Sequence, residues 1–131
     1  MELIKIEPTK HKPGVIFDPA SHSIAFSGFS LPEDAMDFFL PLINWLYEYS
    51  CNCEEYIQKN ITFQATFRLA YYNSASYRAF LEMFHILHKM HTKGLKININ
   101  WYYEKNDTSM IEGGKELAEM AQLNVNFIEF V

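Results

Sequence analysis

The sequence has few of the features that mark secreted, metal-binding or membrane proteins. Its 131 residues include two cysteines, Cys51 and Cys53, too few for a disulfide framework and without the second pair that a structural zinc site needs. It has no run of about 18 apolar residues, as a transmembrane helix requires. The N-terminal segment "MELIKIEPTKHK" lacks the apolar core of a signal peptide. These absences predict a cytoplasmic protein with two reduced thiols, no metal, no cofactor and no membrane insertion.

Positive charge is scarce as well. Eleven Lys and Arg residues face 16 Asp and Glu residues, for a net charge of −5, and the basic residues form no cluster. Nucleic acid and anionic membranes are therefore poor candidates as partners. Apolar side chains are abundant, at 49% of the chain with 16% aromatic. A chain of this length and composition can bury one core, which predicts a single domain over residues 1–131.

Alternating apolar and polar residues predict several strands. "ELIKIE" is typical of a short edge strand, and "GVIFD" and "SIAFSG", separated by Pro19 to His22, predict an N-terminal β-hairpin. The segment "ITFQATFRLAYY" alternates most clearly, and "KININW" repeats its pattern. A strand covered on both faces would be apolar throughout, so the sheet should have one covered and one open face. The residues predicted for the covered face are Ile61, Phe63, Ala65, Phe67, Leu69, Tyr71, Ile97, Ile99 and Trp101.

Three helices are predicted between the strands. The first follows Ser30 as its candidate N-cap, with Pro32 near the first turn, and Pro41 should kink or split it. Its apolar face contains Phe38, Phe39, Leu42, Trp45, Leu46 and Tyr49. The second helix spans about residues 75–93, with Gly94 as its C-terminal cap. Its apolar face contains Tyr77, Phe80, Leu81, Phe84, Leu87 and Met90.

The third helix begins near Ser109, which with Glu112 matches a capping box, or at Asp107 as the alternative cap. Gly113 and Gly114 should allow close packing against it, and "NVNFIEFV" closes the chain as a strand. The order of elements predicts an α/β (α+β) fold with a mixed sheet, helices on one face and an N-terminal β-hairpin. Short joints around the second helix predict a right-handed parallel crossover.

Catalytic and metal-binding patterns are weak. His85, His88 and His91 recur at every third position of the second helix, but they diverge around its axis, which is more typical of a solvated face than of a metal site. The chain has no glycine-rich phosphate loop and no Gly-x-Ser-x-Gly segment. The sequence therefore predicts a protein that is not an enzyme.

The segment "NSAS", residues 73–76, lies where the central strand ends and the second helix begins. Asn73 or Ser74 would stabilise that helix as an N-cap by about 1 kcal/mol. The same place is where α/β sheets bind ligands, and a helix N-terminus tolerates a phosphate. Local chemistry thus allows either a plain cap or a phosphorylation switch.

Several motifs resemble one family along nearly the whole chain, from Val15 to Phe130. "SGFSLPEDAMDFFLPLINWLYEY", "YYNSASYR" and "INWYYEKNDTSMIEGG" look like the SiaC-type regulatory phosphoproteins of bacteria. The matching residues are Ser30, Pro32, Glu33, Phe39, Pro41, Leu42, Trp45, Leu46, Tyr49, Tyr71, Asn73, Ser74, Ser76, Asn100, Trp101, Tyr102, Tyr103, Glu112 and Gly114.

The resemblance implies a STAS-like fold and a partner-switching function. A Ser/Thr kinase would phosphorylate the residue after the strand-end Asn, which is Ser74 here, and a PP2C-type phosphatase would reverse this. Ser76 is the runner-up, because STAS antagonists are modified two residues after their acidic or amide residue. The unmodified form would bind and control an output protein. In the best-known member of the family this output protein is a diguanylate cyclase, and its activation promotes biofilm formation. Asn73, Ser74, Ser76 and Tyr77 would form or border the partner-binding face.

Two residues depart from the best-known member of that family: Ser74 stands in place of a Thr, and Ala75 in place of a Ser. Serine is a competent phosphoacceptor. The alternative function is a small-molecule-binding STAS-like module that uses Tyr72, Trp101, Tyr102 and Tyr103.

Overall fold

A computed structural model describes residues 1–130, and within them one six-stranded mixed sheet carries four helices. The strands lie side by side in sequence order. The first, second and third strands pair antiparallel to one another. From the third strand to the sixth, neighbouring strands pair parallel and are connected by helical crossovers. The elements are β1 (Ile4–Ile6), β2 (Gly14–Asp18), β3 (Ser23–Ser30), α1 (Ala35–Cys51), α2 (Cys53–Gln58), β4 (Thr62–Tyr72), α3 (Ser74–Lys93), β5 (Lys96–Glu104), α4 (Thr108–Ala121) and β6 (Asn126–Phe130).

The predicted edge strand and hairpin are confirmed. Strand β1 pairs only with β2 and forms one edge of the sheet. Strands β2 and β3 pair from Asp18 opposite Ser23 at the turn to Gly14 opposite Ser27. His22, just before β3, adopts the left-handed conformation at φ 53°. The β4–α3–β5 connection joins parallel strands, as expected, and its right-handed sense stays a prediction.

The sheet is covered on one face, as the alternation in β4 and β5 predicted. Phe67 of β4 packs against Phe80 and Phe84 of α3, and Phe17 of β2 packs against Trp45 of α1. The opposite face carries a polar ladder in which Asn98 Nδ2 donates to Gln64 Oε1 at 2.6 Å. Hydration of polar groups on one face and burial of aromatic rings on the other account for the period of two in these strands.

The predicted apolar faces of α1 and α3 are confirmed in the main. Phe38, Tyr77 and Leu81 are only partly buried. The fully buried members of the predicted sets are Phe39, Leu42, Trp45, Leu46, Tyr49, Phe80, Phe84, Leu87 and Met90. Gly94 ends α3 at φ 113°, a conformation that glycine adopts without strain, as predicted.

The predicted start of α1 at Ser30 is wrong. Ser30 is the last residue of β3, pairs with Tyr72 of β4 and is fully buried. The helix begins at Ala35, after Asp34, whose Oδ1 accepts a hydrogen bond from the backbone N–H of Asp37 at 3.0 Å. Pairing with β4 keeps the chain extended through Ser30, so the cap is taken by a residue four positions later.

Pro41 does not split α1, which runs without interruption from Ala35 to Cys51. A proline inside a helix removes one backbone hydrogen bond and crowds the preceding turn. Pro41 is exposed, whereas Phe39 and Leu42 on either side are buried in the core. Packing of the apolar face therefore holds the helix together, and the chain breaks instead at Asn52, between α1 and α2.

Tyr71 does not lie on the covered face, so that part of the strand prediction is wrong. The register with β3 shifts: Gly28 pairs with Leu69, but Phe29 pairs with Tyr71, which leaves Ala70 as an extra residue in β4. A bulge of one residue exchanges the two faces of a strand beyond it. Tyr71 is consequently exposed and Tyr72 turns towards the helices.

Helix α4 begins after Asp107, the alternative cap, and not with a capping box at Ser109 and Glu112. Asp107 Oδ1 accepts from the backbone N–H of Met110 at 3.1 Å. The close packing predicted at the two glycines is confirmed. A Cβ atom on Gly114 would lie 2.7 Å from Trp101 Nε1 and 2.8 Å from a ring carbon of Phe127.

Candidate functional site

The junction between β4 and α3 is a rigidly held turn. Asn73 is extended, at φ −90° and ψ 176°, and its side-chain Oδ1 accepts from the backbone N–H of Ser76 at 2.9 Å. Its own backbone N–H donates to the carbonyl oxygen of Ser30 at 3.0 Å. Asn73 is thus the N-cap of α3, as predicted, and Ser74 is the first helical residue.

The two serines of this turn lie in opposite environments. Ser74 is exposed, whereas Ser76 is 0% exposed. The Ser76 hydroxyl donates to the carbonyl oxygen of Ser30 at 2.9 Å and accepts from the Ser30 hydroxyl at 2.8 Å. Its proton and one lone pair are therefore already engaged inside the protein, while the Ser74 hydroxyl is open to an incoming enzyme.

Tyr77 lies three residues after Ser74 on α3, and its side chain contacts α4 and the end of β4. Its hydroxyl donates to a carboxylate oxygen of Glu116 on α4 and lies 3.8 Å from Met120 Sδ, and its ring stacks on Tyr72 with centroids 6.2 Å apart. Burial and then the Glu116 carboxylate raise the pKa of Tyr77 above its usual range. Tyr77 therefore stays neutral and links α3 to α4.

Arg78 lies four residues after Ser74 on the same helix and is exposed. Within residues 1–130 its side chain has no carboxylate within salt-bridge distance. It stands at the rim of a groove between α1 and α3 with a volume of about 390 Å³. The groove is lined by Ala35, Met36, Phe39, Leu40, Ile43, Ala75, Arg78, Ala79 and Glu82.

The α1 side of this groove is an exposed apolar row. Met36 and Tyr47 are 78% and 60% exposed, and Leu40 is 51% exposed. With Ile43, which is partly buried and packs against the core, they recur at helical spacing along one side of α1. A second hollow of about 300 Å³ between the same two helices continues the groove past Ile43 and Tyr47 towards Lys89. Contiguous exposed apolar surface is typical of interaction sites in proteins.

The other sequence-based candidates do not form a site. His85 and His91 are exposed and His88 is partly buried, and across the described part of the chain no three His, Cys, Asp or Glu residues could hold a metal ion. Cys51 is exposed and Cys53 is buried, which raises the pKa of the Cys53 thiol and makes it less reactive.

The sheet separates one of the four aromatic residues of the small-molecule hypothesis, Tyr102, from the other three. Trp101 is fully buried under the helices, and its Nε1 donates to the carbonyl oxygen of Met110 at 2.9 Å. Tyr102 lies on the open face, where its ring contacts the guanidinium of Arg68 at 5.2 Å. Neighbouring residues of one strand point to opposite faces, so Tyr102 cannot share a pocket with Trp101. Tyr72 and Tyr103 pack against the core on the same side as Trp101, and the rings of Tyr72 and Trp101 lie 6.1 Å apart.

Three residues that shape the site were missed by the reasoning from sequence: Ser30 as the partner of Ser76, Glu116 as the partner of Tyr77, and Arg78. Only Arg78 had a sequence indication, its position four residues after Ser74 on a predicted helix.

No helix among residues 1–130 is long and apolar enough to cross a membrane.

The one-sided sheet thus presents an exposed serine at the start of α3, beside an apolar groove between α1 and α3. The family model described as "SiaC family regulatory phosphoprotein" matches residues 6–130. The chain therefore belongs to the SiaC family of regulatory phosphoproteins.

Solved structures from Pseudomonas aeruginosa share the fold. The crystal structure of apo-SiaC is 21% identical, covers 100% of both chains and superposes with a TM-score of 0.82. The structure of the diguanylate cyclase SiaD in complex with its activator SiaC is 20% identical, covers 97% of this chain and 99% of that one, and has a TM-score of 0.85. An uncharacterized protein of Pseudomonas aeruginosa strain UCBPP-PA14 is 22% identical over 119 residues, which cover 91% of this chain and 90% of that protein.

Proposed function

We propose that this chain is a partner-switching phosphoprotein whose switch is Ser74. A Ser/Thr kinase transfers the γ-phosphoryl group of ATP to Ser74 Oγ, releasing ADP and the hydroxyl proton. A PP2C-type phosphatase returns the hydroxyl by hydrolysis, releasing inorganic phosphate. The observation that carries this assignment is the contrast in the first turn of α3, where Ser74 is exposed and Ser76 is buried and hydrogen-bonded.

The burial of Ser76 favours Ser74 as the acceptor. A phosphate on Ser76 would carry a charge of about −1.5 to −2 into a site without cationic partners, a cost the core could meet only by opening. A phosphate on Ser74 would remain in water at the positive end of α3. The fold can therefore tolerate modification at Ser74 and change only its surface.

The partner-binding role is supported by family membership and by the apolar surface beside the switch. In Pseudomonas aeruginosa, SiaC is the activator of the diguanylate cyclase SiaD. We propose that the unmodified chain likewise binds and controls a diguanylate cyclase as a non-catalytic activator in the cytoplasm. Asn73 would hold the turn, Ser74 would face the partner, Ser76 would support them from below, and Tyr77 would border the contact. Residues 1–130 share one sheet and one core, which supports action as a single domain.

The test combines mass spectrometry with partner capture in the chain's own cells. Intact-mass and peptide analysis should find one phosphate, on Ser74, and it should disappear in Ser74→Ala but persist in Ser109→Ala, a control at another exposed helix-start serine. Tagged Ser74→Ala should co-purify a diguanylate cyclase and raise its product formation, and Ser74→Glu should do neither.

Phosphate on a different residue, or none under any growth condition, would overturn the switch. Capture of the cyclase to the same extent by Ser74→Ala and Ser74→Glu would overturn the mechanism. If no diguanylate cyclase co-purifies with the tagged Ser74→Ala chain, the proposal that a cyclase is the output protein would be wrong.

A further inference from the structure

Arg78 stands between the proposed switch and the apolar groove. It belongs to the groove lining together with Ala75, the residue directly after Ser74. On a helix, residues four apart have Cβ atoms about 5–6 Å from each other. Helical side chains also lean towards the N-terminus, a direction that puts the turn carrying Ser74 within reach of a side chain at position 78.

The other groups near Ser74 are either engaged or unfavourably placed for a phosphate. The Tyr77 hydroxyl is donated to Glu116, and the Asn73 side chain accepts from Ser76. Glu82, four residues after Arg78, is its nearest acidic neighbour along the helix, yet the two are not within salt-bridge distance. An acidic residue on the C-terminal side of a basic one is also the weaker arrangement of an i,i+4 pair, whereas an acidic group on the N-terminal side is the better one.

We propose that Arg78 is the residue that transmits phosphorylation at Ser74 to the groove. In the unmodified chain, Arg78 is free to pair with a carboxylate on an apolar segment of the partner that occupies the groove between α1 and α3. In the phosphorylated chain, the Ser74 phosphate takes the guanidinium as a partner within the same helix. This rests on the proposed function of Ser74, and it names the residue that reads the modification.

Charge favours an acidic partner segment over a basic one at this end of the groove. The lining has two charged residues, Arg78 one turn after Ser74 and Glu82 a further turn along α3, and Met36 and Leu40 line its α1 side. An apolar segment with one carboxylate would match both the apolar row and the guanidinium, since Arg pairs with carboxylate and phosphate oxygens through the same planar fork. A phosphate and a partner carboxylate therefore compete for one site.

The contact itself can be measured without the kinase or the partner. Phosphoserine is incorporated at position 74 during translation, and its second pKa is followed by phosphorus NMR in the wild-type background and in Arg78→Gln. Pairing with Arg78 favours the dianion, so this pKa should be about half a unit lower in the wild-type background than in Arg78→Gln. Arg78→Lys should lie between them.

Lys89→Gln is the matched control. It removes the same charge from an exposed position of the same helix that lies about 22 Å along the axis from Ser74, at 1.5 Å per residue. It should leave the phosphoserine pKa at the wild-type value. Equal pKa values in the wild type, Arg78→Gln and Lys89→Gln would overturn the proposal, whether or not Ser74 is phosphorylated in cells.

The second arm measures transmission to the groove. Ser74-phosphorylated and unmodified chains are compared for capture of the cyclase, with and without Arg78→Gln. We expect Arg78→Gln to weaken capture of the cyclase by the unmodified chain several-fold. We also expect phosphorylation to reduce capture by a smaller factor in Arg78→Gln than in the wild-type background. An unchanged factor, with phosphate still found on Ser74 in cells, would overturn the role of Arg78 and leave the proposed function intact. Absence of phosphate in cells would overturn the proposed function alone.

Discussion

The hydroxyl groups of Ser30 and Ser76 lie 2.8 Å apart in the core, although 46 residues separate them in the chain. Ser30 Oγ donates to Ser76 Oγ, which in turn donates to the carbonyl oxygen of Ser30 at 2.9 Å. The end of β3 is thereby fastened to the first turn of α3. The exposed Ser74 is presented on a turn that is anchored from below, so its position does not depend on a partner.

This anchor predicts a specific pattern of stability losses. Ser76→Ala removes the acceptor of the Ser30 hydroxyl and one of the two donors to the Ser30 carbonyl, which keeps the Asn73 backbone N–H, and should lower the free energy of unfolding by about 1–3 kcal/mol. Ser30→Ala should cost less, because Ser76 can still donate to the carbonyl of residue 30. Urea unfolding measures both, with the exposed Ser74→Ala as a control expected to lie within about 0.5 kcal/mol of wild type. Fully additive losses in the double variant would contradict direct coupling of the two serines.

Phosphomimetic variants should separate the two candidate acceptors. Ser74→Glu places a carboxylate in water at the helix start, next to Arg78, and should leave the stability within about 0.5–1 kcal/mol of wild type. Ser76→Glu buries a charge without a partner and should destabilise the fold by several kcal/mol. Thermal melts followed by circular dichroism give the comparison. Equal stability of the two variants would contradict the burial of Ser76.

The N-cap of α3 should contribute measurably to stability. Asn73→Ala removes the acceptor for the Ser76 backbone N–H and should cost about 1 kcal/mol in denaturant unfolding. Asn73→Asp keeps an acceptor oxygen in the same place and serves as the control. A loss in Asn73→Asp as large as in Asn73→Ala would argue against capping as the reason for this residue.

Gly114 should resist replacement even by alanine. Alanine favours a helix interior by about 1 kcal/mol over glycine. The added Cβ, however, would lie 2.7–2.8 Å from the buried rings of Trp101 and Phe127, so the net effect of Gly114→Ala should be a loss of about 1–3 kcal/mol. Tryptophan fluorescence during urea unfolding reports it, with the exposed Glu112→Ala as the matched control on α4. A stabilised Gly114→Ala variant would show that α4 can move away from the sheet.

Tyr49 should make the fold sensitive to high pH. It is fully buried, and its hydroxyl lies 2.8 Å from His22 Nδ1. Burial raises the pKa of Tyr49 well above its usual range, so the folded chain holds the phenolic proton more tightly than the unfolded chain. Its contribution is fully present below pH about 10 and is lost as the pH rises further, by up to about 1.4 kcal/mol per pH unit.

Unfolding in urea between pH 8 and 11 measures this loss. Tyr49→Phe should reduce the slope with pH, although it lowers the stability at neutral pH through the lost contact with His22. Tyr47→Phe, at a position 60% exposed, should leave the slope unchanged. Identical slopes in Tyr49→Phe and the wild type would show that other groups govern the alkaline transition.

Much of the fold could be predicted because its causes are local. The alternation from Phe63 to Leu69 specifies which side chains are buried, and Asn73 and Gly94 cap α3 through contacts within one turn. The errors fall where a distant strand overrides the local preference. Serine is a preferred residue at helix N-caps, so the local sequence favours Ser30 as a cap, but pairing with Tyr72 keeps Ser30 in β3. The bulge at Ala70 depends on the register with β3, and no pattern within β4 indicates it.

The amino-acid sequence by itself determined the one-sided sheet, the helices that cover it and the turn that carries Asn73 and Ser74, because periodicity and capping act over a few residues. The tertiary structure alone decided which serine of that turn is accessible and what stands beside it. Ser76 is buried because β3 ends beneath it, and Arg78 borders a groove because α1 packs alongside α3. These properties arise from contacts between elements far apart in the chain, which periodicity within one segment cannot encode.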